Sequence, residues 1–330
     1  MKYFYPDIHK LHNPSIDLSD GLPGFKYMEI PQRVDAVLNG LLKAKDEEVV
    51  FVKELAVDEV KELHDEDYVN FLLNISKELK DEDEYIPSMF REDMKNSPLL
   101  FQGGMYCKEI GTPILKNSIN SALNSAKTAI EATQYMLERD TDAFALTRPP
   151  GHHAGKRRYG GYCFFNNAYL SANLFNRYGK KVAVLDIDYH IGDGSLEFAN
   201  EMSPYFSIHA DPFKNYPYLD SNFENRNPYV TLSSFKSKIS GDSYVLEVKK
   251  LLDKALETKV DIIILSLGFD TLEGDSCQDE SISVSIDNFR EIGELFSDLD
   301  QRVLFLLEGG YNMQKLELCA TNFISGFLKW

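Results

Sequence analysis

Two carboxylates and an imidazole at alternate positions, Asp186, Asp188 and His190, open the case for metal chemistry. In an extended chain, residues two apart point to the same side, so these three line one face. Carboxylate and imidazole suit zinc, and a catalytic zinc site takes three protein ligands and keeps a further position open for water. Asp188 and His190 supply two of them. Asp270, in Gly268-Phe269-Asp270, is the natural third. Taken alone, the pattern also fits a capped strand end, so the other polar clusters have to decide.

His152 and His153 follow Pro149-Pro150-Gly151. Being adjacent, they do not easily share one metal in regular structure, and they fit better as acid/base groups. One takes a proton from water, and the other helps to stabilise developing charge. Each needs a partner that fixes its tautomer. Asp186 and Asp193 are unassigned carboxylates close by. Tyr311 follows two glycines, which allow close approach of the backbone, and its phenol can donate a hydrogen bond to a polarised carbonyl.

These groups lie just beyond apolar, β-rich runs. Strands are predicted at Asp142–Thr147, Val182–Ile187, Phe206–Ile208, Ile262–Leu267 and Val303–Leu307. Continuous apolar runs of this length mark parallel strands buried on both faces. Helical spacing of apolar residues predicts helices over Ser118–Glu138, Asn166–Arg177 and Asp242–Glu257. The alternation implies an α/β fold with three αβα layers and a doubly wound, mostly parallel sheet. In such sheets ligands bind beyond the carboxyl ends of the strands, where four of these runs deliver chemistry-capable side chains. No repeat or long linker interrupts the 330 residues, so one catalytic domain over 1–330 is expected, with a long, poorly periodic loop insertion around 81–113.

The formal net charge of −17 points away from nucleic acid and toward cationic ligands. No apolar stretch reaches the 18 residues or more of a membrane span, and Met1–Pro6 lacks the apolar core of a signal peptide. Cys107, Cys163, Cys277 and Cys319 form no CxxC pair, which fits a cytoplasmic chain with free thiols.

Five stretches together resemble the histone deacetylase and acetylpolyamine amidohydrolase family, which has the arginase–deacetylase fold. They are Arg148–Ala154 (RPPGHHA), Gly160–Ala168 (GGYCFFNNA), Asp186–Gly194 (DIDYHIGDG), Gly268–Asp275 (GFDTLEGD) and Leu307–Asn312 (LEGGYN), with Glu29–Arg33 near the start. The resemblance implies Zn²⁺, or Fe²⁺ as in some bacterial relatives, on Asp188, His190 and Asp270. It makes His153 the general base and then the general acid, with His152 its electrostatic partner; Asp186 orients His152 and Asp193 orients His153. Tyr311 then polarises the acetyl carbonyl, and Arg33 lies by an inner channel for acetate. Asp186 and Ser207, with the backbone carbonyls of Asp188, His190 and Ile208, resemble the family's structural K⁺ site. Tyr162 and Tyr216 become the aromatic walls of a substrate tunnel, with Gly161 and Cys277 also at the substrate. The implied chemistry is attack of metal-activated water on the amide, followed by proton transfer to the leaving amine.

Three positions depart from the family pattern. Ile191 stands where a second histidine usually follows the metal-binding one, and Gly274-Asp275-Ser276 lacks the usual proline. Cys277 replaces a glutamate that selects polyamines in one eukaryotic type. Met1–Pro14, Ser207–Pro212 with Tyr216-Pro217, and Gly111–Ile114 resemble the bacterial acetylpolyamine branch, in which the long loop joins a dimer partner and narrows the tunnel. A homodimer acting on a small cationic acetylated amine is therefore expected, with Glu109 at the rim to hold a distal ammonium. The alternatives are a protein acetyl-lysine deacetylase, which needs an open, shallow rim, and a catalytically silent binding protein on the same fold.

Overall fold

The computed structural model describes residues 1–18 and 25–330. Its centre is an eight-stranded sheet: β1 (Lys2–Pro6), β2 (Val49–Val52), β3 (Ala143–Ala145), β4 (Val182–Asp186), β5 (Tyr205–Ala210), β6 (Val230–Phe235), β7 (Ile262–Leu267) and β8 (Arg302–Leu307). The order across the sheet is β2-β1-β3-β8-β7-β4-β5-β6, and every neighbouring pair is parallel. All five strands expected from the apolar runs are present, although β3 is shorter than the run that contains it and β5 is longer. Three further strands of this sheet lie outside those runs.

The apolar runs make this sheet because both of its faces are covered. On β7, Ile263 and Leu265 face one helical layer, while Ile262 and Ile264 face the other. The first layer holds α1 (Gln32–Ala44), α4 (Gly241–Glu257), α5 (Ile286–Leu295) and α6 (Leu316–Leu328), which bring Val37, Val248, Ile292 and Phe323 to the core. The second holds α2 (Ser118–Arg139) and α3 (Asn167–Arg177), whose small residues Ala129, Ala132, Ala168 and Ala172 allow close approach. Each fully buried large apolar side chain contributes about 1.5–3 kcal/mol. None of the helices formed by the described residues is long and apolar enough to cross a membrane.

A third apolar cluster holds the 81–113 excursion in place. Tyr85, Met105, Tyr106 and Ile114 pack with Phe71 and Leu72 of the helix Glu66–Glu78, and against Tyr159 and Phe164. Backbone bridges Tyr85–Ile114 and Cys107–Tyr159 pin both ends. The loop tip leaves Met89, Phe90, Leu100 and Phe101 exposed.

The sheet order explains the convergence of the motifs. The strands that precede the four polar clusters, β3, β8, β7 and β4, are consecutive in the sheet though scattered along the chain. Their carboxyl ends therefore deliver His152 and His153, Tyr311, Asp270, and Asp188 and His190 to one place.

Candidate active site

Strand β4 stops at Asp186, so strand alternation is not what places Asp188 and His190, as the sequence had implied. Two short-range turns do it instead. Asp186 Oδ1 accepts the Asp188 N–H (3.1 Å), and Asp188 Oδ1 accepts the His190 N–H (2.9 Å). An aspartate that bonds the backbone two residues on is a self-made turn. Asp186 is thereby separated from the other two and faces His152.

Asp188, His190 and Asp270 each bring a ligand atom within 4.8 Å of the other two. His190 Nδ1 lies 3.4 Å from both Asp188 Oδ1 and Asp270 Oδ2. Gly309 makes the approach possible, because a Cβ there would collide with both carboxylates; its N–H donates to Asp188 Oδ2 at 2.8 Å. Burial and the Asp188 charge push Asp270 up to about 7. Burial alone would lower His190, but the two carboxylates outweigh it and raise it to about 9. Asp270 Oδ2 is buried with no hydrogen-bond partner. An orphaned carboxylate oxygen beside a second carboxylate and an imidazole, all converging, fits a divalent cation with an N/O donor set. A second convergence of ligand types, His152, Cys163 and Glu308, is differently employed. There Glu308 accepts the Gly151 N–H (2.7 Å), the His152 N–H (3.2 Å) and the Ser266 hydroxyl (3.0 Å).

The two histidines stand beside this cluster with separate partners. His152 Nδ1 is 3.0 Å from Asp186 Oδ2, and its Nε2 is 3.8 Å from Asp188 Oδ1. His153 Nδ1 is 2.8 Å from Asp193 Oδ1. The pairings are those the family resemblance implies. Asp186 also lies opposite Ser207 in the strand register, and both are fully buried. Ile208 follows on the same strand, and the Ser207 hydroxyl is 2.8 Å from His209 Nδ1.

A pocket of about 500 Å³ ends on the cluster. His152, His153, Asp188, His190 and Tyr311 line its floor, and Tyr162, Tyr216, Gly161, Glu109 and Cys277 contribute to its walls. Tyr216 meets His153 edge-on at 4.7 Å. Gly161 has a left-handed backbone (φ +54°), and a Cβ there would collide with His153 and Tyr216, so only glycine lets the wall close this tightly. Tyr311 is aimed by its backbone: its N–H and that of Asn312 donate to Asp275 Oδ2 at 2.7 and 2.8 Å. Gly274-Asp275 does this without the missing proline. Ile191 is buried and stands outside the ligand group.

Arg33 is fully buried behind Tyr311, with its Cζ 4.6 Å from the ring centroid. It donates to Glu29, to the Gly310 carbonyl (2.5 Å) and to the Glu308 carbonyl (2.6 Å). Glu109 is committed too, accepting from Gly111 N–H, from the Thr112 hydroxyl (2.6 Å) and from Gly161 N–H (2.9 Å). Burial raises its pKa. Asp17, Lys108 and Glu308 are among the residues of the site to which the sequence reading gave no role. Asp17 lines the pocket and accepts the Tyr162 hydroxyl. Lys108 pairs with Asp193 at 2.5 Å. Glu308 braces the histidine loop; its signal was a carboxylate closing the apolar run of β8. Asp17 and Lys108 gave none, since Asp17 sits in a two-residue strand paired with Phe25–Lys26 and Lys108 in a loop, and the sequence sets the path of neither.

A model of the histone deacetylase domain matches residues 27–327. The chain belongs to the histone deacetylase family. It is 30% identical to acetylpolyamine amidohydrolase 2 of Pseudomonas aeruginosa, over 99% of this chain and 98% of that one. Against the acetylpolyamine amidohydrolase of Mycoplana ramosa the identity is 28%, over 99% of each. A crystal structure of an acetylpolyamine aminohydrolase from Burkholderia pseudomallei superposes with a TM-score of 0.90 at 28% identity, covering 99% of this chain and 98% of that one. This histone deacetylase family member is a metal-dependent deacetylase, a hydrolase of amide bonds, and its fold is of the arginase–deacetylase type.

Proposed function

We propose that the enzyme removes the acetyl group from an acetylated polyamine or a related cationic N-acetyl amine. The observation that carries this reading is the make-up of the pocket wall. Tyrosine rings and the carboxylates Asp17, Glu109 and Asp279 share one pocket above the proposed metal ligands, with Lys214 also at its wall. An alkyl chain lies against the rings, and a distal ammonium meets the carboxylates. The relatives named above act, by their names, on acetylpolyamines.

Asp188, His190 and Asp270 would hold Zn²⁺, for which their donor set is suited; Fe²⁺ accepts the same donors. The bound ion supplies Lewis acidity toward the acetyl oxygen and toward the hydrolytic water. His153, with Nδ1 held by Asp193, presents Nε2 to the pocket, takes the proton of the attacking water and returns it to the leaving nitrogen. His152 stays charged between Asp186 and Asp188 and stabilises negative charge developing on the acetyl oxygen. The Tyr311 hydroxyl donates to the same oxygen. We place acetate release on the Arg33 side. We also assign K⁺ to Asp186 and Ser207, with the carbonyls of Asp188, His190 and Ile208, on the strength of the buried Asp186–Ser207 register. The whole chain, 1–330, acts as one cytoplasmic catalytic domain, and the exposed apolar tip of the 81–113 loop is where a homodimer partner docks.

Initial rates of the metal-reconstituted enzyme on acetylputrescine, acetylspermidine and an acetyl-lysine peptide test the reading. A higher kcat/KM for the polyamines is expected. Equal or better turnover of folded acetylated proteins overturns it in favour of a lysine deacetylase.

A further inference from the structure

The two histidine–aspartate pairs differ in one chemical respect. Besides His152, Asp186 shares its carboxylate with no charged side chain among the described residues, only with the Tyr205 hydroxyl (2.7 Å) and the Asp188 N–H (3.1 Å). Asp193 shares its own with a cation. Lys108 Nζ donates to Asp193 Oδ2 at 2.5 Å and, with the same ammonium, to the backbone carbonyl of His153 at 2.6 Å. Both charged side chains of this pair are largely buried, 14% and 13% exposed. One ammonium thus ties the loop that carries His153 to the loop that carries Asp193, from a third loop.

Lys108 takes no part in the pocket that ends on the metal cluster. It lines a neighbouring cavity of about 670 Å³, on the far side of Tyr216 and Glu109. Its reach is fixed by its own backbone, whose N–H donates to the Tyr159 carbonyl at 2.9 Å. Its stem passes Gly160, where a Cβ would come within 2.9 Å of the lysine Cβ. Substrate in the first pocket therefore does not meet Lys108, whereas the proton-transfer pair does.

We propose that Lys108 is a positioning residue for the general base: by clamping Asp193 and the His153 backbone together, it holds the imidazole with Nε2 toward the scissile amide. Asp193 Oδ1 serves His153 and Oδ2 serves Lys108. Without the ammonium, Oδ2 loses its charged partner and the carboxylate is free to turn. A displacement of the base by even part of an ångström weakens proton transfer in the transition state while leaving substrate binding alone. The inference rests on the proposed role of His153.

The test compares Lys108→Met, Lys108→Arg and Lys108→Ala with the wild type on acetylputrescine, at equal zinc content and with melting temperatures recorded. The Met variant should lose about 10- to 100-fold in kcat, below the full worth of general acid–base catalysis, with KM within about threefold. Because the second cavity opens beside the lysine, ethylammonium in the buffer should raise kcat of Lys108→Ala severalfold and leave the wild type unchanged. Recovery of kcat by the Arg variant, or by ethylammonium, identifies the positive charge as the agent. A Met variant with kcat within twofold of wild type overturns the proposal, and so does a loss that neither arginine nor ethylammonium restores. Should Lys108→Met fail to fold, Lys108→Gln is read in its place. If the wild type does not turn over acetylputrescine at all, the substrate reading fails, and the same comparison on an acetyl-lysine peptide still judges Lys108.

Discussion

His152 and His153 are neighbours in the chain, each bonded through Nδ1 to a buried aspartate, yet the protein holds them in opposite states. Burial alone would lower His152, but the Asp188 and Asp186 carboxylates outweigh it and raise it well above the usual histidine range. Burial and the positive charge on His152 bring His153 down to about 3. Asp193 raises His153 but does not outweigh these; burial would raise Asp193 itself, but Lys108 and then His153 hold it at about 2. The dyad motif therefore does not by itself decide protonation. The total charge around each ring decides it. On the proposed mechanism one histidine is a fixed positive charge and the other a proton acceptor, which is the division of labour an amide hydrolase needs.

The most severe way to break the contrast is to remove Asp188, which serves the metal cluster and charges His152. Asp188→Ala should bring activity to background and abolish stoichiometric zinc, since the two remaining ligands hold zinc poorly. A full equivalent of zinc by elemental analysis would refute the ligand assignment. His153→Ala should retain zinc and lose about 10²- to 10⁴-fold in kcat. For the wild type the sign of the pH effect follows from the depressed value. Activity that needs neutral His153 is present above about 3 and lost as pH falls through it. The kcat/KM profile should then show no acid limb at the ordinary histidine value of about 6.5, and a limb there would mean that His153 is charged like its neighbour.

Tyr311→Phe sharpens the contrast by removing the neutral donor proposed for the acetyl oxygen that, on the same mechanism, His152 also serves. A loss of about 10²- to 10³-fold in kcat with unchanged zinc is expected. Near-normal turnover would show that the carbonyl is polarised without the phenol. The smallest effect is expected at Glu109, outside both dyads. Glu109→Gln should raise KM for acetylputrescine severalfold more than for a neutral acetamide of equal length. An unchanged KM would assign Glu109 to loop structure alone, through its bonds to Gly111, Thr112 and Gly161.

The chemistry was largely legible in the sequence because it follows apolar runs. Those runs must be strands buried on both sides, so the polar residues closing them had to lie at a sheet rim. The adjacency of β3, β8, β7 and β4 was not legible, since chain order does not give strand order. Nor was β1: Lys2-Tyr3-Phe4-Tyr5-Pro6 is short and rich in tyrosine, and it becomes a strand only through β2 and β3 on either side. β6 is an edge strand without a fully buried residue, so its burial left no pattern to read. Asp186, Asp188 and His190 were legible as a cluster but not as to which faced what, because the local turns override alternation. Asp17, in a two-residue strand, and Lys108, in a loop, reach the site only across long sequence separations, and no local signal marks them.

The proposed metal ligands and general base grow from the ends of neighbouring strands, whereas Glu109 and Asp17 in the pocket wall come from the 81–113 excursion and from the segment near the N-terminus. On the proposed reading, the carboxylates Glu109 and Asp17 that meet the amine thus lie on other pieces of chain than the metal ligands, although the wall residues Tyr162 and Cys277 share the segments that follow β3 and β7. A library that randomises the excursion while sparing Lys108 and its apolar anchors Tyr85, Tyr106 and Ile114 should change which amine is accepted far more readily than whether an acetyl group is removed. The architecture is accordingly a favourable starting point for evolving deacetylases toward new amines.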